Sequence, residues 1–328
     1  MTDTTDILII GAGPAGLFAG FYAGMRELTT RIIDSLPDLG GQPKVLYPKK
    51  DIYDIGGYPA ITGDQLTKQL TQQLQRFKDT TTFQLNEEVL TYEQHNHVFK
   101  VTTNKNIYYA KTIIIATGNG SFHPRKIKLE NDDIYQNNIS YYFPNPSQLK
   151  NKTVAVCGGG DSALDTALGL APYAKQIYLI HRRSRFRAHE YSVAQAKCKE
   201  NIEWITPYIP KGVNGKADTI THLEIMHTKT KEYQLLPIDH LCMAYGFVSS
   251  LGELKKWPID YDHSKINVTS KMETNIAGIY AIGDIATYPG KAELIATGFG
   301  EAPIAINSIK QYLNPKEHIK PIHSSHMF

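Results

Sequence analysis

Short apolar runs, each closed by glycines and followed by a helical pattern, punctuate this chain. In TDILIIGAGPAGLFAGFYAGMRELTTRIID, Ile7 to Ile10 has the unbroken apolar character of a strand covered on both faces. Gly11, Gly13 and Gly16 follow as Gly-x-Gly-x-x-Gly, with Pro14 and Ala15 inside the motif. Pro14 to about Glu27 reads as a helix, and Arg31 to Ile33 as a second strand ended by Asp34. The pattern returns in KTVAVCGGGDSALDTALGLAPYAKQIYLIHRRSRFR. Thr153 to Cys157 is a strand, and Gly158, Gly160 and Ala163 form Gly-x-Gly-x-x-Ala around Asp161 and Ser162. A helix runs from about Ser162 to Pro172, and the strand Gln176 to Ile180 ends at His181. Gly11 to Asp34 and Gly158 to His181 are both 23 residues, so one strand–helix–strand unit is used twice, 147 residues apart.

The parts of this unit have definite work. The first glycine turns the chain out of the strand, the second lets a pyrophosphate approach the backbone, and the third lets helix and sheet pack closely. The helix N-terminus offers free N–H groups and the positive end of a dipole to phosphates. The two copies differ at their far ends. The carboxylate of Asp34 suits both hydroxyls of an adenosine ribose. His181 is instead followed by Arg182, Arg183, Arg185 and Arg187. Guanidinium groups bind a 2′-phosphate that a carboxylate would repel, so the second site is expected to prefer NADPH to NADH. Arg182 and Arg187 lead, Arg183 follows, and Arg185 reads as solvated; the alternative is a solvated basic face.

Two further apolar strands end in small residues. One is IYYAKTIIIATG at 107–118, and the other is IAGIYAIGD at 276–284. Each is compatible with an ordinary strand and turn. Beside the N-terminal motif, Gly283 permits close backbone approach and Asp284 can accept a ribityl hydroxyl of a flavin. ATGFGEAPIAINSIKQYL, at 296–313, reads as the last helix, with Ala302 and Pro303 marking an N-terminus turned toward the flavin's pyrimidine edge.

Composition narrows the class. The 328 residues allow about two domains. A net charge of +3 is too small to suggest a nucleic-acid binder, and no run of 18 apolar residues suggests a membrane span. The acidic, polar start MTDTTD is unlike a secretory leader, so the cytoplasm is the expected compartment. Cys157, Cys198 and Cys242 are widely spaced, without a Cys-x-x-Cys, and read as reduced thiols rather than a disulfide or zinc framework. The twelve histidines show no metal spacing.

Nearly the whole chain resembles the thioredoxin reductase-like ferredoxin/flavodoxin–NADP+ reductases of bacteria. The resemblance rests on GAGPAG, DSLPDLGGQPKVLYPKKDIYDIGGYP, TGNGSFHPRK, GGGDSALDTA, HRRSRFRAHE, YGFVSSLG, METNIAGIYAIGDIATYPGK and GFGEAPIAINSIK. It implies an α/β fold of two Rossmann-like, three-layer dinucleotide-binding domains, with the NADPH domain (117–279) inserted in an FAD domain (1–116 and 280–328). The connections near Gly118–Gly120 and Met272–Ala277 are hinge candidates, because few residues cross between the units there. The resemblance carries FAD contacts onto Asp34, Gln42, Tyr47, Val89, Phe122, Asp284 and Ser325, and Gly41 and Gly118 are further cofactor-binding candidates. Tyr47 is similar to a tyrosine that stacks on one flavin face. His323 resembles a C-terminal histidine covering the other face, donated by the partner in a homodimer. Ser184 departs from a position often acidic in the family.

The implied reaction is hydride transfer from NADPH to FAD, then single-electron transfer to ferredoxin or flavodoxin. Lys49, Lys50, Arg125, Lys126 and Lys128 are candidates for docking that acidic carrier, or a solvated basic face. Thioredoxin reductase chemistry needs a Cys-x-x-Cys, and ISYYFPNP stands where it would be expected. A diaphorase or oxidase with a small acceptor, and a flavoprotein that senses NADPH without turnover, remain alternatives.

Overall fold

A computed structural model describes residues 4–316, leaving out the side chains of 121–123 and 249. In chain order its main elements begin with strand β1 (Thr4–Ile10), helix α1 (Pro14–Met25), strand β2 (Thr30–Ile33), and helices α2 (Gly41–Leu46) and α3 (Gly63–Leu74). Strands β3 (Thr81–Gln84), β4 (Val89–His95), β5 (Val98–Thr103) and β6 (Ile107–Ile115) follow. Then come β7 (Ile139–Ser140), β8 (Thr153–Cys157), α4 (Asp161–Leu170), β9 (Gln176–Ile180), α5 (Glu190–Lys197) and β10 (Ile202–Ile205). An antiparallel ribbon, β11 (Tyr208–Lys216), β12 (Thr219–His227) and β13 (Tyr233–Pro237), precedes β14 (His240–Met243). Strand β15 (Ile279–Ala281) and helix α6 (Ile295–Leu313) close the order. The chain forms two compact units, one from residues 1–122 and 249–328, the other from 123–248.

The first unit is built on a sheet ordered β3-β2-β1-β6-β5-β4, parallel from β3 to β6. On its side away from β1, strand β6 serves two partners: its first half pairs antiparallel with β5, and Ile113 to Ile115 pair parallel with β15. Alternation explains the unbroken apolar runs. Ile7, Ile9 and Ile114 face a core with Leu17 of α1, Leu66 of α3 and Ile306 of α6. Leu8, Ile10, Ile113 and Ile115 face the opposite layer, with Leu254, Trp257 and Ile266. Both faces are buried, so neither face could be polar. Helix α3 is fixed locally by a capping box in which Gln65 N–H donates to Thr62 Oγ1 and Thr62 N–H to Gln65 Oε1. Such caps contribute about 1 kcal/mol, and Leu66, Leu70 and Leu74 then present one buried stripe.

The second unit repeats the plan. Its parallel sheet runs β7-β14-β8-β9-β10. Val154, Val156, Ile177 and Leu179 pack on the helix side with Leu164 and Ala196. Ala155, Cys157 and Ile180 pack on the other side with Val213, Leu223 and Ile225 of the ribbon.

Two expectations change. The return from the second unit falls at 248/249 rather than 279/280. Leu251, Leu254, Trp257 and Ile259 join the core behind β1 and β6, and Trp257 Nε1 donates to the Leu90 carbonyl at 3.1 Å. The expected hinge at Met272–Ala277 therefore lies inside the first unit, where Met272 is buried in the helix-side core.

Candidate functional site

Each unit carries a cleft at the carboxyl ends of its parallel strands. In the first, Ile10 leads into Gly11, which has φ +110°, and a Cβ there would overlap the Ala116 carbonyl. A Cβ on Gly16 would overlap the Gly11 carbonyl, so only a hydrogen lets α1 sit against the turn. Gly13 caps α1 without a side-chain hydrogen bond and lines a cleft with Pro14 and Ala15. Asp34 stands at the end of β2. Its Oδ2 accepts from Ala12 N–H at 2.6 Å and its Oδ1 from Leu36 N–H at 2.8 Å. Burial raises its pKa, although both backbone bonds oppose the shift. The carboxylate is thus fixed in direction, with lone pairs left for a ligand in the cleft.

Gly41, Gln42, Tyr47, Val89, Gly118, Gly283 and Asp284 line the same cleft. Tyr47 follows α2, and burial, then the charges of Asp284 and Asp54, push its pKa up. Asp284 is also raised by burial, with Lys265 pulling the other way. Thr117 adds a signal that spacing did not reveal: its Oγ1 is buried without a partner among the described residues, and Thr117 lines the cleft.

The second unit's cleft is open to solvent and is lined by Gly160, Asp161, Ser162, His181, Arg182, Arg183 and Arg187. Gly158 and Ala163 serve packing instead: Ala163 is fully buried, and a Cβ on Gly158 would come within 2.8 Å of its methyl. Gly159, absent from the expected set, lets the His181 ring lie over the turn. The arginine loop folds back on the motif. Arg187 N–H donates to the Gly159 carbonyl at 2.7 Å, and His189 N–H to Asp161 Oδ1 at 2.8 Å. His181 packs against Phe186 with the rings tilted and their centres 4.9 Å apart, and its pKa is lowered by partial burial and then by Arg182 and Arg183. The imidazole is held neutral while the guanidiniums stay exposed.

A family profile described as pyridine nucleotide-disulphide oxidoreductase matches residues 5–308. The chain belongs to the pyridine nucleotide-disulphide oxidoreductase family. It is 47% identical over 321 residues to the ferredoxin–NADP reductase of Streptococcus mutans, spanning 98% of this chain and 95% of that one. It is 46% identical over 325 residues to the ferredoxin–NADP reductase of Geobacillus kaustophilus, spanning 98% and 97%. Among solved structures it is similar to Lactococcus lactis thioredoxin reductase in its FR conformation, with a TM-score of 0.72 and 26% identity over 94% of this chain and 99% of that one.

Within this oxidoreductase family the thiols are telling. Cys157 and Cys242 lie on adjacent strands and are fully buried; burial pushes both pKa values up, that of Cys242 to about 12. They are held as inert thiols, and Cys198, though exposed, has no neighbouring cysteine in sequence.

Several expected residues lie elsewhere. Helix α6 begins at Ile295 after the extended Leu294, so Ala302 and Pro303 sit inside it, and Leu294, Ile295 and Gly298 line the cleft in their place. Pro303 reads as a helix start because it lacks an N–H, but here it interrupts one bond of a helix already under way. Arg125 and Lys128, expected on a docking face, line the second unit's cleft, as does Lys211. Lys49 is ion-paired with Asp64 at 2.6 Å. The Phe122 side chain, His323 and Ser325 lie outside the described residues.

Proposed function

We propose that this chain is a ferredoxin–NADP+ reductase that holds FAD in the first unit's cleft and NADPH in the second's. The observation that carries the reading is the contrast at the two matched strand ends, a half-buried, backbone-tethered carboxylate at Asp34 and exposed guanidiniums after His181, in a chain without a Cys-x-x-Cys. The residues present fit the groups. Gly13 leaves open space before an uncapped helix N-terminus, where a pyrophosphate would be bound. Asp34 would accept the ribose hydroxyls, Asp284 and Thr117 would meet the ribityl chain, and Tyr47 would cover the isoalloxazine. Arg182, Arg183 and Arg187 would hold the 2′-phosphate. When bound, FAD supplies the conversion of a two-electron hydride donor into a one-electron source. The chain's own residues bind, orient and shield, and the hydride step needs no side-chain acid or base.

Ferredoxin or flavodoxin is the carrier we assign, and the relatives named above are ferredoxin–NADP reductases. The enzyme acts as a homodimer in the cytoplasm, with His323 and Ser325 completing the partner's flavin site. No helix among the described residues is long and apolar enough to cross a membrane. The test is anaerobic. NADPH should bleach the bound flavin, and ferredoxin or flavodoxin should restore its colour while thioredoxin does not. Reoxidation by thioredoxin alone would overturn the reading.

A further inference from the structure

A buried charged cluster lies behind the Gly283–Asp284 turn. The side chains of Lys291 and Glu301 are 5% and 2% exposed and form an ion pair. Lys291 also donates to the Gly283 carbonyl at 3.1 Å, and the Tyr288 hydroxyl donates to Glu301 Oε1 at 2.7 Å. The other carboxylate oxygen, Oε2, accepts the Gly283 N–H at 2.7 Å. Both backbone polar groups of Gly283 are therefore held from behind, at a residue whose φ of +72° demands glycine. Burial, then the bond to Glu301, pushes the Tyr288 pKa up to about 12, so its hydroxyl stays a donor.

A buried ion pair is a costly way to gain stability, because desolvation consumes most of its attraction. This one does what apolar packing could not. It fixes the N–H and C=O of one residue and so aims the next, Asp284, whose side chain lines the cleft. Its charges also reach the cleft, since Lys291 and Glu301 act on the Asp284 carboxylate in opposite directions.

We propose that Lys291, Glu301 and Tyr288 are positioning residues for the flavin, locking the Gly283–Asp284 turn while cancelling each other's charge beside it. The inference rests on the flavin reading of this cleft. The test is the FAD dissociation constant and flavin midpoint potential of the full chain and its variants. Lys291→Met leaves a buried negative charge and should lower the potential; Glu301→Gln leaves a positive charge and should raise it. The double variant should restore the potential but bind FAD about tenfold more weakly, the net worth of a hydrogen bond to a charged group. Shifts of the same sign in both single variants, or wild-type affinity in the double, would overturn the proposal. If these variants do not fold, Tyr288→Phe decides, because it spares the ion pair: weaker FAD binding supports the lock, and unchanged binding and potential sink it. A wild-type chain that binds no FAD would refute the flavin reading itself.

Discussion

The two strand–helix–strand motifs share a register and differ in how their recognition ends are held. Asp34 is half-buried, with both oxygens tethered by backbone N–H groups. The arginines after His181 are exposed, and their loop is tied down through its backbone, Arg187 to Gly159 and His189 to Asp161. The difference fits what each end is proposed to recognise. Neutral ribose hydroxyls give weak, directional bonds, so their acceptor must be fixed beforehand. A 2′-phosphate attracts over a longer range and tolerates long, mobile donors. The first arrangement suits a nucleotide kept through many turnovers, the second a nucleotide that arrives and leaves.

The largest expected effect comes from breaking the first motif itself. Gly16→Val drives a side chain into the Gly11 carbonyl. It should cost more than about 4 kcal/mol and yield protein without FAD, read by thermal unfolding and flavin absorbance. Ala163→Val, the matched change in the second unit, only overpacks a buried site and should cost about 1–3 kcal/mol while FAD is retained. Next is Asp34→Ala, which orphans the Ala12 and Leu36 N–H groups and removes the proposed ribose acceptor. It should weaken FAD binding by roughly 3 kcal/mol, about a hundredfold or more, measured by titrating the apoprotein.

A pH effect separates the units further. His240, on β14 of the second unit, meets Ser140 Oγ at 2.8 Å, and burial, then Lys152, lowers its pKa from 6.5 to about 4. The depressed value means that protons bind the unfolded chain more tightly. Its stabilising contribution is full above about pH 6.5 and is lost as pH falls toward 4, by about 3 kcal/mol at most. Acid unfolding monitored in both units should begin in the second, and His240→Gln should flatten that slope. An unchanged slope would mean that another group carries it.

Much of this was legible because it is local. Strand, glycines, helix and terminal charge lie within 23 residues in each copy. What lay hidden depends on distant packing. Nothing in the spacing of Leu251, Leu254 and Trp257 announces that they back the first unit's sheet. Pro303 imitated a helix start, whereas the start was set by the extended conformation of Leu294. Lys291 and Glu301 meet only because loop and helix converge on Gly283. Arg125 and Lys128 read as surface charge until the fold brought them to the cleft.

The contrast between the two ends is tested most directly by comparing anaerobic flavin reduction by NADPH and by NADH, in the wild type and in Arg182→Ala/Arg187→Ala. The wild type should strongly prefer NADPH. The double variant should lose about 10–100-fold of that preference, the worth of its charge-assisted hydrogen bonds, while keeping its FAD and its rate with NADH. An unchanged preference, or loss of FAD, would contradict the assignment of phosphate recognition to the second unit's arginines.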